Sequence, residues 1–108
     1  MSAALLAALI AVESGGNDRA VGDNGRAIGP LQIHAAVVED VNRIHGTRYT
    51  HAQMTNRAVA VRVCVLYVEH YAPGCNAETQ ARVWNGGPHG AQRGRTLGYW
   101  NRVRKAMR

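Results

Sequence analysis

The apolar positions fall into a series of short runs at helical spacing. In the first, Leu5, Leu9 and Val12 recur with Leu6 and Ile10 beside them, and Ala and Leu are strong helix formers. Gly15-Gly16-Asn17-Asp18 ends this run. A second helix is predicted from Leu31 to Ile44, carried by Ile33, Val37, Val38, Val41 and Ile44 and stopped by Gly46. A third spans Arg57 to Tyr71, with Ala60, Val63, Cys64, Tyr67, Val68 and Tyr71 on one face, a cap at Thr55 or Asn56, and Pro73-Gly74 after it. Ala77 to Trp84 is a fourth, predicted to stop at Asn85-Gly86-Gly87-Pro88. Thr96 is the expected cap of a last helix that turns Leu97, Trp100, Val103 and Met107 to one side.

Between the first two helices, Asp23-Asn24-Gly25 is a tight-turn signal that suits a small hairpin over residues 21–28. Residues 47–55 are polar and mixed, and His89 to Arg95 reads as a glycine-rich basic link. No stretch alternates long enough for an extended strand. The expected fold class is mainly α, one domain over residues 1–108, with at most that hairpin.

Composition changes this picture little. The chain has 108 residues, room for one modest core. It has no Phe, so two Trp and four Tyr supply the aromatic bulk. The first apolar run is too short to span a membrane. No Lys or Arg precedes it and no cleavage site follows, so it reads as a helix of the mature fold rather than an export signal. Cys64 and Cys75 permit one disulfide, with a buried free thiol at Cys64 as the alternative.

Charge adds a choice of partners. The formal net charge is +6, and Arg93, Arg95, Arg102, Arg104, Lys105 and Arg108 crowd the C-terminal part. Such a surface suits nucleic acid, anionic membranes or an anionic cell wall, or it simply keeps the protein soluble. His34, His45, His51, His70 and His89 show no metal-ligand spacing, and there is no Walker or Gly-x-Gly-x-x-Gly sequence. No metal or cofactor is expected.

Glu13 is the residue most apt for chemistry. It closes an apolar helix, at the end where the helix dipole disfavours a carboxylate. Apolar neighbours would desolvate it and raise its pKa. A carboxylic acid held protonated near neutral pH can donate to a glycosidic oxygen. Taken alone, Glu13 reads more readily as an ordinary surface residue on the polar side of the helix. Gly29-Pro30-Leu31-Gln32-Ile33 and Asn85-Gly86-Gly87-Pro88 add amides within glycine-rich segments, where a ligand can approach the backbone and amides can meet sugar hydroxyls.

Taken in order, these blocks resemble the lysozyme-like superfamily, in particular its soluble lytic transglycosylase and goose-type lysozyme branch. That pattern is a helix ending in Glu-Ser, then a glycine-rich stretch into Gly-Leu-Met-Gln-hydrophobic, a further helix, Ala-Tyr-Asn-Ala-Gly, and a late Tyr. This chain offers Glu13-Ser14, Gly29-Pro30-Leu31-Gln32-Ile33, Val83-Trp84-Asn85-Gly86-Gly87-Pro88 and Tyr99. Pro30, Leu31 and Trp84 depart from the pattern, and Trp84 gives up a hydroxyl while keeping a ring for stacking.

The resemblance implies cleavage of the β-1,4 bond between N-acetylmuramic acid and N-acetylglucosamine in peptidoglycan, with Glu13 as general acid and then base. It implies that Ser14 holds Glu13 or the sugar, that Gln32, Ile33, Trp84, Asn85 and Gly86 contact the glycan, and that Tyr99 orients Glu13. Asp23, in Gly22-Asp23-Asn24-Gly25, matches the goose-type residue that holds the attacking water. It is equally readable as a turn former, and a second acidic helper of that branch is replaced here by His34. Hydrolysis and transglycosylation therefore both stay open.

The expected partner is the glycan strand, met at the bacterial cell wall in the periplasm or outside the cell, by a monomer without a membrane span. Delivery would need another route, as for a phage lysis protein or a chain that has lost its leader. Nucleic acid is not expected as a partner. The competing readings are a basic helical nucleic-acid module with Arg102, Arg104, Lys105 and Arg108 on phosphates, and a glycan-binding relative without turnover.

Overall fold

The computed structural model describes all 108 residues. Helix α1 (Ala3–Ser14) starts at Ser2, whose hydroxyl accepts from the Leu5 amide at 3.1 Å, and ends at Gly15 with a left-handed φ of 63°. Its Leu5 and Leu9 are fully buried, each worth about 1.5–3 kcal/mol of apolar transfer. Strands β1 (Val21–Gly22) and β2 (Ala27–Ile28) pair antiparallel, Val21 opposite Ile28 and Gly22 opposite Ala27. Asp23 and Asn24 take φ of 49° and 56° in the turn between them, a conformation that Asn and Asp tolerate better than other side chains. The hairpin lies where the turn signal predicts it.

The segment after the hairpin corrects one expectation. Leu31 to His34 is not the start of a helix: α2 runs Ala35–His45. Ile33 instead exchanges both backbone hydrogen bonds with Ile28, at 2.9 and 3.2 Å, extending the hairpin by one bridge. Gln32 carries a left-handed φ of 50°, which no helix can absorb. The apolar period alone could not report this, because Ile33 is buried in either arrangement.

Gly29 makes the fold-back possible. Its φ is 85°, and a Cβ there would lie 1.8 Å from the Met54 carbonyl oxygen. Met54 belongs to a 3₁₀ turn over His51–Thr55, closed by reciprocal Thr50 and Gln53 hydrogen bonds. The mixed polar composition of that stretch hid the turn.

Helix α3 (Arg57–Tyr71) has the predicted limits, and Asn56 is its cap, accepting from the Val59 amide. Its Ala60, Val63, Cys64, Tyr67 and Val68 are buried, so α3 runs through the middle of the core. Cys64 and Cys75 are both free thiols, the first buried and the second exposed.

Helix α4 (Ala77–Gly86) continues through Asn85 and Gly86 and turns out at Gly87, φ 88°. The helix thus runs past the predicted end at Trp84, and the chain turns out at Gly87, inside the predicted Asn85-Gly86-Gly87-Pro88 stop. Two 3₁₀ turns (Gly90–Gln92 and Gly94–Thr96) then lead into α5 (Leu97–Ala106).

Thr96 does not cap α5. It is fully buried, its hydroxyl lies 2.8 Å from the carbonyls of both Gly90 and Arg93, and it accepts from Arg82 Nε at 2.8 Å. The buried face of α5 is Tyr99 and Val103, while Leu97 stands 47% exposed. The predicted face of Leu97, Trp100, Val103 and Met107 is thus right at Val103, but the helix is rotated so that Tyr99 rather than Leu97 is buried. No helix of the structure is long and apolar enough to cross a membrane.

Candidate active site

Glu13 lies in the last turn of α1, and that helix packs against both α4 and α5. From α5, the Tyr99 hydroxyl donates to Glu13 Oε2 at 2.9 Å. Tyr99 is 4% exposed, so its ring screens the carboxyl from water on that side. Burial raises the Glu13 pKa above its ordinary 4.5, and this outweighs the lowering by the Tyr99 hydroxyl, the Trp84 indole and the Arg102 charge. Burial also drives the Tyr99 phenol far upward, with the Glu13 carboxylate adding to it, so Tyr99 serves only as a neutral donor. Arg102 stacks over the Tyr99 ring at 5.8 Å, a cation–π contact from outside.

Glu13 opens onto a cleft of about 380 Å³. One wall is Gln32, Ile33 and His34, the segment that leaves the hairpin for α2. The opposite wall is Trp84, Asn85 and Gly87 from the end of α4. Tyr67 of α3 lines it as well, with its ring 5.7 Å from that of Trp84 and nearly perpendicular to it. The cleft thus offers an acid, two amides, an imidazole and two aromatic rings, a set that suits a hydroxyl- and amide-bearing ligand.

Ser14, Gln32 and Gly86 make contacts that the resemblance does not imply. Ser14 does not reach Glu13. Its hydroxyl donates to the Pro30 carbonyl at 2.8 Å and accepts from the Gly16 amide at 3.1 Å, which pins the end of α1 to the loop after the hairpin. Gln32 lines the cleft, but its amide NH₂ donates to the carbonyls of Ala20 and Gly29 at 3.1 and 3.0 Å. Its side-chain oxygen lies against Gly22, where a Cβ would come within 2.4 Å of it. Gln32 therefore clamps the hairpin. Gly86 faces Thr96, whose methyl would meet its Cβ at 2.6 Å, and Gly87 takes its place in the cleft lining.

Asp23 sits at the exposed hairpin turn, outside the cleft lining, and contacts His34 Nε2 at 3.3 Å. His34 itself lines the cleft, so the hairpin carboxylate reaches the site through an imidazole. Ile33 is held from behind as well: the His51 Nε2 proton is donated to the Ile33 carbonyl at 2.7 Å, since a carbonyl can only accept.

His34, Tyr67 and Gly87 were not identified from the sequence. His34 was noted only as a missing acid, and Tyr67 only as a core position. An aromatic followed by Tyr71 one turn later was the available signal for Tyr67, and it does not separate cleft from core.

No family model matches the chain. A stretch of 43 residues is 49% identical to a lysozyme of Meretrix lusoria, covering 36% of this chain and 35% of that protein, about a third of its length. A chain in the crystal structure of Aeromonas hydrophila PliI in complex with Meretrix lusoria lysozyme superposes with a TM-score of 0.80 and 33% identity, over 97% of this chain and 89% of that one. The crystal structure of Tapes japonica lysozyme gives a TM-score of 0.79 and 28% identity, over 96% of this chain and 89% of that one. With a solved structure 33% identical over 97% of this chain and 89% of its own, and with lysozymes among the relatives, the chain belongs to the lysozyme-like superfamily.

Proposed function

We propose that this chain, as one domain, cleaves the β-1,4 bond between N-acetylmuramic acid and N-acetylglucosamine in peptidoglycan, acting at the bacterial wall outside the cytoplasm. The observation that carries this is a carboxyl with a raised pKa at the wall of a polar cleft, held by Tyr99. Glu13 protonates the leaving oxygen, and its carboxylate then takes a proton from whatever attacks the anomeric carbon. Asn85 and His34 face the sugar's amide and hydroxyls, and Trp84 and Tyr67 give it apolar faces.

Hydrolysis is the first reading, because the relatives bear the name lysozyme. In it, Asp23 acts through His34 to position the water. Transglycosylation is the second, favoured by one feature: Glu13 is the only carboxylate lining the cleft. An attack by the substrate's own 6-hydroxyl needs no second acid.

Digestion of purified peptidoglycan followed by mass analysis tests both. Reducing-end products support the hydrolase and 1,6-anhydro products the transglycosylase. Digestion by Glu13→Gln as fast as by the parent protein would reject the assignment of Glu13.

A further inference from the structure

A second cleft, of about 480 Å³, is bounded by Ala36, Val37, Glu39, Asp40, Arg43 and Tyr67. Ala36, Val37 and Tyr67 also line the Glu13 cleft, so the two are halves of one groove running along α2. The halves differ in chemistry. Around Glu13 the lining is amide, imidazole and indole, while the far half has an apolar floor and a rim of full charges. An uncharged sugar makes no special use of two opposite charges, whereas a ligand that itself carries both signs can pair with each.

The rim charges are arranged as a pair of opposite sign. Asp40 is occupied: it accepts from the Tyr71 hydroxyl and from Arg43, and both contacts keep it ionised. It thereby steadies Arg43, whose side chain is still 70% exposed and has further N–H donors free for an anion. Glu39 is in no ion pair. It precedes Arg43 by one helical turn, and side chains at that spacing lie about 6 Å apart. The rim therefore offers a cation and an anion side by side over the apolar floor of Ala36, Val37 and Tyr67.

We propose that this half of the groove binds the peptide stem carried by the glycan strand. This rests on the peptidoglycan reading above. A short peptide with small apolar side chains, a free carboxylate and a free ammonium matches the floor, Arg43 and Glu39 respectively. The stem branches from the sugar that the Glu13 half would hold, so continuity of the groove lets one strand fill both.

The test compares glycan strands that keep their stems with strands stripped of them by an amidase. The parent protein is expected to cleave stem-bearing strands with a kcat/KM about 10-fold higher. Arg43→Gln and Glu39→Gln are each expected to cut that preference to about 3-fold or less, with cleavage of stripped strands unchanged. An equal rate on both strands, or a preference untouched by both substitutions, would overturn the stem site.

Calorimetric titration of the Glu13→Gln protein with a soluble disaccharide-tetrapeptide and with the bare disaccharide removes the dependence on turnover. Tighter binding of the peptide-bearing fragment supports the site even if neither strand is cut, an outcome that would sink the catalytic reading alone. Equal affinity for the two fragments overturns the site whatever the cleavage result.

Discussion

Tyr99 and Glu13 lie 86 positions apart in the chain and share a 2.9 Å hydrogen bond. The bond joins the C-terminal end of α1 to the first turn of α5. It gives the carboxyl a neutral donor in a place where burial otherwise favours its protonated form. The two effects oppose each other, and burial is the larger.

Replacing Tyr99 with Phe keeps the ring and removes the donor. The Glu13 pKa is expected to rise further, so the basic limb of the pH–rate profile moves to higher pH. Turnover is expected to fall about 10-fold, the equivalent of one lost hydrogen bond to a charged group. Measuring kcat/KM from acid to mildly alkaline pH checks both, and an unmoved basic limb would detach Tyr99 from the titration of Glu13.

Glu13→Gln is expected to lower activity by about 100-fold or more, the usual worth of a general acid, and to make the fold more stable at neutral pH. A carboxyl whose folded-state pKa is raised costs stability once it is ionised. That cost is absent below its unfolded value near 4.5 and sets in as pH climbs through that value to the folded one. The Tm of the variant should exceed that of the parent at pH 7, and the difference should vanish below about pH 4. Thermal unfolding across this range is the measurement.

Gly29→Ala is expected to destabilise by about 2–5 kcal/mol, combining a left-handed conformation with the clash against the Met54 carbonyl. The neighbouring Gly25, with φ 88° and nothing near its Cβ, should lose only the conformational part, about 1–2 kcal/mol, on changing to Ala. Denaturant unfolding of the two variants separates close approach from backbone preference. Similar losses would mean that Met54 moves away readily.

Asp23→Asn distinguishes the two routes after protonation. If Asp23 and His34 position a water, the variant should lose most hydrolytic turnover while its fold, judged by Tm, hardly changes, since the Asp23 side chain is 49% exposed. Retained turnover with 1,6-anhydro products would assign the reaction to transglycosylation and leave Asp23 as a turn former.

Thr96→Val tests the buried corner before α5. The hydroxyl joins the Arg82 guanidinium to two backbone carbonyls; the carbonyls keep amide donors without it, but the charged Arg82 Nε loses its acceptor in a buried corner. A loss of about 2–4 kcal/mol is expected, more than the ~1 kcal/mol typical of an exposed helix cap. Chemical denaturation decides between these magnitudes.

The sequence by itself determined the helical class, the hairpin over residues 21–28 and the limits of α3, and it marked Glu13 as a candidate acid. Each rests on information local in the chain: a helical period, a turn tripeptide, a capping Asn, a carboxylate closing an apolar run. Tertiary structure decided what those residues touch. It turned Ser14 and Gln32 inward onto the carbonyls of Pro30, Ala20 and Gly29, which the fold-back at Gly29 brings within their reach. It placed His34 between Asp23 and the cleft, and it buried Tyr99 instead of Leu97 by fixing the rotation of α5 against α1. Periodicity gives the face of a helix only to within a residue or two. The pKa of Glu13 depends on which residue of α5 lands beside it, and no local pattern encodes that choice.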